Sequence, residues 1–180
     1  MTALVTDLDV REPSRADVRA MALLMVRGNS TYRDWAPRFW QPPGLERTQA
    51  QWYLRLRELE RWTRIATGRD GELVALASWR PAHGDGEQGP PLPGVGYVSH
   101  LYVDPDRWAK GTGSGLLGIA ETAMRDAGCV RAILWTPERA PARDFYERCG
   151  WTPDGGQRWS TELQLPMVRY GTDLTRSSGS

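Results

Sequence analysis

The sequence predicts an α/β domain with a mixed sheet. Two observations carry that reading. Strand-like and helix-like stretches follow one another in the order β-α-α-β-β-β-α-β-α-β-β, without the regular βα alternation of a doubly wound fold. The 180 residues also suffice for one domain with a sizeable core. A third observation sets the centre of the chain: Val95–Ala127 reads as a strand, a glycine-rich loop and a helix in immediate succession.

Residues 4–11 alternate loosely and predict a first strand. Pro13–Asp17 supplies a turn and a helix start, with Ser14 or Asp17 as N-cap. Val18, Met21, Ala22, Met25 and Val26 stand at helical spacing, so a helix is expected over 16–28, closed by Gly28-Asn29. Residues 29–45 hold three prolines and several aromatic residues and read as an irregular connection. Glu46–Arg61 is rich in helix formers, with Trp52, Leu56 and Leu59 on one side. Trp62–Gly68 and Glu72–Arg80 flank Asp70-Gly71, a hairpin signal. His83–Gly94, with four glycines and three prolines, reads as a mobile excursion between strands. A strand over Val95–Val103 and an amphipathic helix follow. Val130–Thr136 is a short buried strand and Pro141–Arg148 a short helix ended by Cys149-Gly150-Trp151. Arg158–Leu165 and Met167–Asp173 are expected as two last strands separated by Pro166. The domain is expected over 1–174, with 175–180 a disordered tail.

Composition excludes some functions. Twenty-three Lys and Arg against 22 Asp and Glu leave a formal charge of +1, which argues against a nucleic-acid partner. Cys129 and Cys149 have no metal-ligand spacing, so two buried thiols are expected and no metal. No apolar run approaches the roughly 18 residues that span a bilayer, and the first residues lack a signal-peptide core, so a cytoplasmic protein without a membrane partner is expected.

The loop Trp108-Ala109-Lys110-Gly111-Thr112-Gly113-Ser114-Gly115 places three glycines in five residues just ahead of a helix. Glycine lets the backbone approach a ligand closely, and a helix start offers unpaired N–H groups and the positive end of its dipole, so a pyrophosphate is the natural guest. The dinucleotide spacing G-x-G-x-x-G and the P-loop ending Gly-Lys-Ser/Thr are both absent. On spacing alone, a phosphate cradle and a merely tight loop stand side by side.

Two motifs together decide between them. The strand LYVDP followed by RWAKGTGSGLL, with ARDFYERCGW some thirty residues on, resembles the GCN5-related N-acetyltransferase (GNAT) family, in outline from about residue 10 to 174. Trp108 to Gly113 matches the pattern Q/R-x-x-G-x-G/A, and Phe145-Tyr146 before Cys149-Gly150-Trp151 matches the later helix. Two positions depart from the pattern: Trp108 stands where Gln or Arg is usual, and Arg139 where many members carry Asn. The resemblance implies a mostly antiparallel sheet flanked by helices, acetyl-CoA as co-substrate, and direct transfer of an acyl group, most often acetyl, to the primary amine of a small molecule. By family analogy it implies a possible homodimer.

It also implies roles for residues. The backbone N–H of Leu101 would stabilise the oxyanion, while Leu101, Tyr102 and Val103 would present the strand edge to the pantetheine amides. Trp108, Ala109, Lys110, Gly111, Thr112, Gly113 and Ser114 would hold the pyrophosphate, and Arg139 the pantetheine arm. Tyr146, a phenol of ordinary pKa about 10, would protonate the leaving thiolate. The positions from which relatives project a Glu or His base hold Tyr97 and Ser99 here, expected on the same strand face as Leu101. Neither is a base at neutral pH, and either they order a water that carries the proton out or the amine arrives neutral. His100 has a suitable pKa but alternation turns it to the opposite face; Asp34 and Glu46 lie in the acceptor region. Tyr32, Trp35 and Trp40, with Phe39, either line an acceptor pocket for a planar or hydrophobic amine or pack within a long loop. No dense acidic cluster favours a polycation. Because the carboxylate base is missing, a catalytically degenerate acyl-CoA-binding sensor is the rival reading, with a nucleotide-binding structural domain behind it.

Overall fold

The structure is a computed structural model and describes residues 8–84 and 89–175. The expected strand residues before 8, the middle of the 83–94 excursion and the tail after 175 lie outside the described residues. Among the described residues seven strands and four α-helices follow in the expected order: β1 (Asp9–Arg11), α1 (Val18–Ser30), α2 (Leu45–Arg55), β2 (Trp62–Thr67), β3 (Leu73–His83), β4 (Pro91–Val103), α3 (Thr112–Asp126), β5 (Arg131–Pro137), α4 (Ala142–Arg148), β6 (Thr152–Ser160) and β7 (Leu165–Asp173). The chain packs as two compact units, one made of Met1–Ser78 with His100–Ile119, the other of Trp79–Ser99 with Ala120–Ser180. Strands β3 and β4 and helix α3 each begin in one unit and end in the other.

In the first unit the strands run β1-β2-β3-β4, with β1 antiparallel to β2. Val18, Met21, Leu24 and Met25 of α1 and Trp52 of α2 bury one face of this sheet through Ile65 and Leu76. Leu116 of α3 packs with Ala75, Ala77 and the partly buried Leu101 and Val103. Entry into α1 is set by Asp17, whose carboxylate accepts from the backbone N–H and hydroxyl of Ser14 at 2.7 and 2.8 Å and pairs with Arg11 at 2.7 Å. The Arg11 guanidinium holds the Asp17 carboxyl far below the usual carboxylate range.

In the second unit the order is β3-β4-β5-β7-β6; β4 and β5 are parallel, while β5/β7 and β6/β7 are antiparallel. The fold class is therefore α/β with a mixed, mostly antiparallel sheet. Met124 of α3 lies against the Gly96 face of β4, where a Cβ would collide with it. Ala132, Leu134, Trp151, Leu165 and Tyr170 are buried in this unit.

Five expectations about elements change. Helix α1 runs through Gly28-Asn29 to Ser30, because these residues serve a neighbour rather than a stop: a Cβ on Gly28 would sit 2.8 Å from Cδ1 of Tyr102, and Tyr102 donates its hydroxyl to Asn29 Oδ1 at 2.9 Å. Helix α2 ends at Arg55, six residues early; Leu59 is fully exposed and Arg61 turns its buried head toward Ser78 (3.1 Å) as β2 begins. Strands β3 and β4 extend to His83 and back to Pro91, which shortens the glycine- and proline-rich excursion. His83 ends β3 half-buried, with its Nδ1 3.0 Å from the Gly89 carbonyl. Finally, β6 covers Thr152–Ser160 rather than Arg158–Leu165, and Pro166 lies inside β7. Among the described residues β6 pairs only with β7; its register slips between Pro153 and Gln157, and Gly155 takes φ 85°. An edge position tolerates Pro and Gly at such a bulge. Both cysteines are free and half-buried, with thiol pKa values pushed up by burial.

Candidate functional site

The loop between β4 and α3 is held from three directions within the first unit. Asp104, the first residue after β4, is buried, and its carboxylate makes a two-point pair with Arg27 of α1 at 2.6 and 3.1 Å. Its Oδ1 also accepts the Asp106 N–H at 3.0 Å, the turn that the Asp-Pro-Asp sequence favours. Arg27 reaches Asp106 as well, at 3.1 Å, and Arg107 pairs with Glu72 of the β2–β3 hairpin at 2.7 Å. Further along, the Trp108 indole N–H donates to the Val103 carbonyl at 2.9 Å and Lys110 Nζ to the Asp106 carbonyl at 2.8 Å. Ala109 and Gly111 take left-handed φ of 59° and 81°, which turn the chain into α3 at Thr112.

Thr112, Gly113 and Ser114 form the first turn of this 15-residue helix. Their backbone N–H groups precede the intrahelical ladder and stand at the positive end of its dipole, while the Ser114 hydroxyl donates to the Gly111 carbonyl at 3.0 Å. This donor set, with the left-handed turn beside it, fits a diphosphate.

Also in the first unit, the expected aromatic residues come together. Tyr32 lies between Trp35, with ring centroids 4.5 Å apart, and Trp40, stacked at 5.3 Å. The Tyr32 hydroxyl interacts with that of Tyr102; burial pushes its pKa up and the Tyr102 bond works the other way. Trp40 is buried, whereas Phe39 is exposed and outside the cluster. His100 packs its ring against Trp52 at 5.0 Å, the side opposite Leu101.

Strand β4 contributes to both units. In the second unit Gly96 faces α3, which turns Tyr97 away from that helix. In the first unit Leu101 and Val103 pack with Leu116 of α3 while Tyr102 turns to α1.

The second unit holds the other expected residues. Tyr97 is buried, with its hydroxyl accepting from Arg158 Nη2 at 3.3 Å; Ser99 is half-buried and Arg139 exposed. Tyr146 of α4 is buried among the rings of Phe145 (5.2 Å), Tyr170 (6.2 Å) and Trp151 (6.4 Å). Tyr170 donates to Glu147 Oε1 at 2.7 Å and accepts from Arg143 Nε at 3.0 Å, so its buried hydroxyl ties β7 to α4. Trp151 donates to Glu121 of α3 at 2.8 Å, and burial raises the pKa of that carboxyl.

Comparison with known proteins decides the family. The model of the acetyltransferase (GNAT) family matches residues 29–151. The chain belongs to the GNAT family. Two curated relatives, both named mycothiol acetyltransferase, come from Geodermatophilus obscurus (34% identity over 103 residues, 55% of this chain and 33% of the relative) and Cellulomonas flavigena (34% over 130 residues, 68% and 37%). The chain thus spans about a third of the length of these relatives. Among solved structures, the fold matches a PaiA N-acetyltransferase from Thermoplasma acidophilum in complex with coenzyme A (TM-score 0.68, 14% identity, 93% of this chain and 99% of that one). It also matches the ribosomal-protein-S18-alanine N-acetyltransferase of Escherichia coli (0.66, 15%, 96% and 97%).

Sequence reasoning missed Arg27 and Asp104 as supports of the GNAT loop. The Asp-Pro-Asp turn was a visible signal for the second; nothing local marked the first, which lies 77 residues from its partner. Among the described residues no group of three or more His, Cys, Asp or Glu could hold a metal, and no helix is long and apolar enough to cross a membrane.

Proposed function

We propose that this GNAT protein transfers acetyl from acetyl-CoA to the primary amine of a small molecule by direct attack. The observation that carries the reading is the braced loop Trp108–Ser114 feeding the first turn of α3, a donor set suited to the diphosphate of coenzyme A. Acetyl-CoA supplies an activated carbonyl carbon to which the amine nitrogen bonds while the bond to sulfur breaks. In this reading the Leu101 N–H stabilises the negative charge on the carbonyl oxygen, and the edge residues Leu101, Tyr102 and Val103 orient the pantetheine amides. Tyr146 donates its phenolic proton toward the leaving sulfur, and Arg139 contributes to the pantetheine arm. The amine proton leaves through water ordered by Ser99 and Tyr97; the hydrogen bond that Tyr97 accepts from Arg158 supports such an ordering role. Tyr32, Trp35 and Trp40 form the aromatic wall on the acceptor side, held by the contacts of the Tyr32 ring with both indoles. The name mycothiol acetyltransferase belongs to relatives of which this chain spans a third, so acceptors are best sought by chemistry.

The test is thiol release over a panel of primary amines, with Tyr146→Phe beside the wild type. The expected result is turnover with at least one amine and a fall in kcat of about 100-fold or more in the variant. Binding of coenzyme A should stay within about twofold. Tight binding of coenzyme A with no thiol released above hydrolysis would replace the transferase by an acyl-CoA-binding sensor.

A further inference from the structure

The last turn of α1 reaches two parts of the first unit through side chains that the transfer step does not use. Arg27 leaves the helix toward the loop after β4, where it makes its two-point pair with Asp104 and also meets Asp106. Asn29, two residues on, is 1% exposed, and its Oδ1 accepts from the Tyr102 hydroxyl at 2.9 Å. The Tyr32 hydroxyl bonds to the same Tyr102 side chain. The Tyr32 ring in turn stands between Trp35 and Trp40, with centroids 4.5 and 5.3 Å away. The backbone from Asn29 to Tyr32 is short and stiff. The Ser30 and Thr31 hydroxyls donate to the Arg27 and Gly28 carbonyls at 2.6 and 2.7 Å, and a 3₁₀ turn over Thr31–Asp34 continues the helix. All of these residues belong to the first unit.

We propose that Arg27 and Asn29 are positioning residues for the two substrates. Arg27 sets the loop that holds coenzyme A, and Asn29, through the Tyr102 hydroxyl, sets the Tyr32 ring against which the amine lies. This rests on the transferase reading above and adds the residues that place each substrate. An amide buried in a helix costs stability unless its polar atoms are bonded, and an apolar side chain of similar size would fill the space without that cost. The value of Asn29 therefore lies in where its bond puts Tyr102 and Tyr32. Asp104 and Asp106 bring two carboxylates to the start of a loop suited to a diphosphate, and the Arg27 guanidinium neutralises them where they would otherwise repel that anion. Gly28 lies between the two residues, and its missing side chain leaves room for the Tyr102 ring. Neighbouring positions of one helical turn thus reach both the loop and the tyrosine.

The experiment uses the full chain, coenzyme A, and an amine turned over in the thiol-release panel. Arg27→Met should weaken coenzyme A binding by about tenfold in calorimetry, the size of one charge-assisted bond, while KM for the amine at saturating acetyl-CoA stays within about twofold. Arg27→Lys, which keeps the charge but not the two-point geometry, should recover part of the loss. Asn29→Leu should do the reverse, raising KM for the amine about tenfold and leaving coenzyme A binding within about twofold. Adding Tyr102→Phe to Asn29→Leu removes the hydroxyl left without its acceptor; this double variant should regain part of the lost stability and keep the raised KM. A second measurement needs no turnover. The indole N–H resonances of Trp35 and Trp40, which sense the Tyr32 ring, should shift in Asn29→Leu, and that of Trp108 in Arg27→Met, each without the other. Similar changes in both constants for both variants overturn the proposal, as does a KM for the amine that returns with stability in the double variant. If no amine is turned over, the transferase reading fails by itself, and the resonances still decide: unmoved or jointly moved indoles overturn the division between Arg27 and Asn29.

Discussion

The indole N–H of Trp108 donates to the backbone carbonyl of Val103 at 2.9 Å. The residue that stands where the family pattern has Gln or Arg thus fastens the glycine-rich loop to the end of β4. Tryptophan has one donor and no charge, so its contribution to a phosphate site is positional. Trp108→Phe removes that single bond, whose net worth is about 0.5–1.5 kcal/mol. Calorimetric titration should show coenzyme A binding weakened by about two- to tenfold, with kcat little changed. Unchanged affinity would mean the loop keeps its shape without the clasp.

Gly28→Ala tests the contact between α1 and β4. Alanine in a helix interior would by itself stabilise by about 0.5–1 kcal/mol. Here its Cβ meets the Tyr102 ring at 2.8 Å, and overpacking of a well-filled site costs about 1–3 kcal/mol. The expected net effect is a loss of stability in urea unfolding. Adding Tyr102→Leu, which clears the ring, should reverse the sign of the Gly28→Ala effect.

Tyr102→Phe keeps the ring and removes the hydroxyl that Asn29 Oδ1 accepts from, in a side chain only 1% exposed. An unsatisfied buried acceptor costs about 1–3 kcal/mol, so the unfolding midpoint should fall accordingly. The variant with Asn29→Leu added should recover part of the loss, since no orphaned amide then remains.

Glu121 gives a pH signature. Burial raises its folded pKa above the unfolded carboxyl value of about 4.3, with the Trp151 bond acting in the opposite direction. Between the two values the folded state holds a proton that the unfolded state has lost, so this group's contribution to stability declines as pH rises through that window. Glu121→Gln keeps an acceptor for Trp151 and has no proton to lose. Its stability relative to wild type should therefore improve between pH 4 and 7, read by denaturant titration at each pH. Asp17 works in the other direction: its depressed pKa gives stability present above about 3.9 and lost as pH falls toward the folded value, and Asp17→Asn should flatten that acid limb.

Local signals were legible where a few adjacent residues carry the physics. The Asp70-Gly71 hairpin, the glycine loop and the Phe145-Tyr146 helix each lie within one short stretch, and each is found where the sequence places it. The misread elements are those whose identity depends on a distant partner. Gly28-Asn29 looks like a helix stop until Tyr102, 73 residues away, supplies the reason for both residues. Pro153, Gly155 and Gly156 look like a loop until β7 offers them an edge to pair with.

The sequence by itself determined the α/β order of elements, the GNAT family through two motifs, and the glycine loop as a phosphate-binding candidate, because each is written in spacing along the chain. Only the tertiary structure decided that Arg27 and Asp104 brace that loop, and that Arg80, Arg158 and Arg169 gather around Tyr97 and Trp135. The reason is register. Strand pairing brings together residues from β3, β4, β5, β6 and β7 that no sequence spacing relates, and the register of each pair decides which side chains meet.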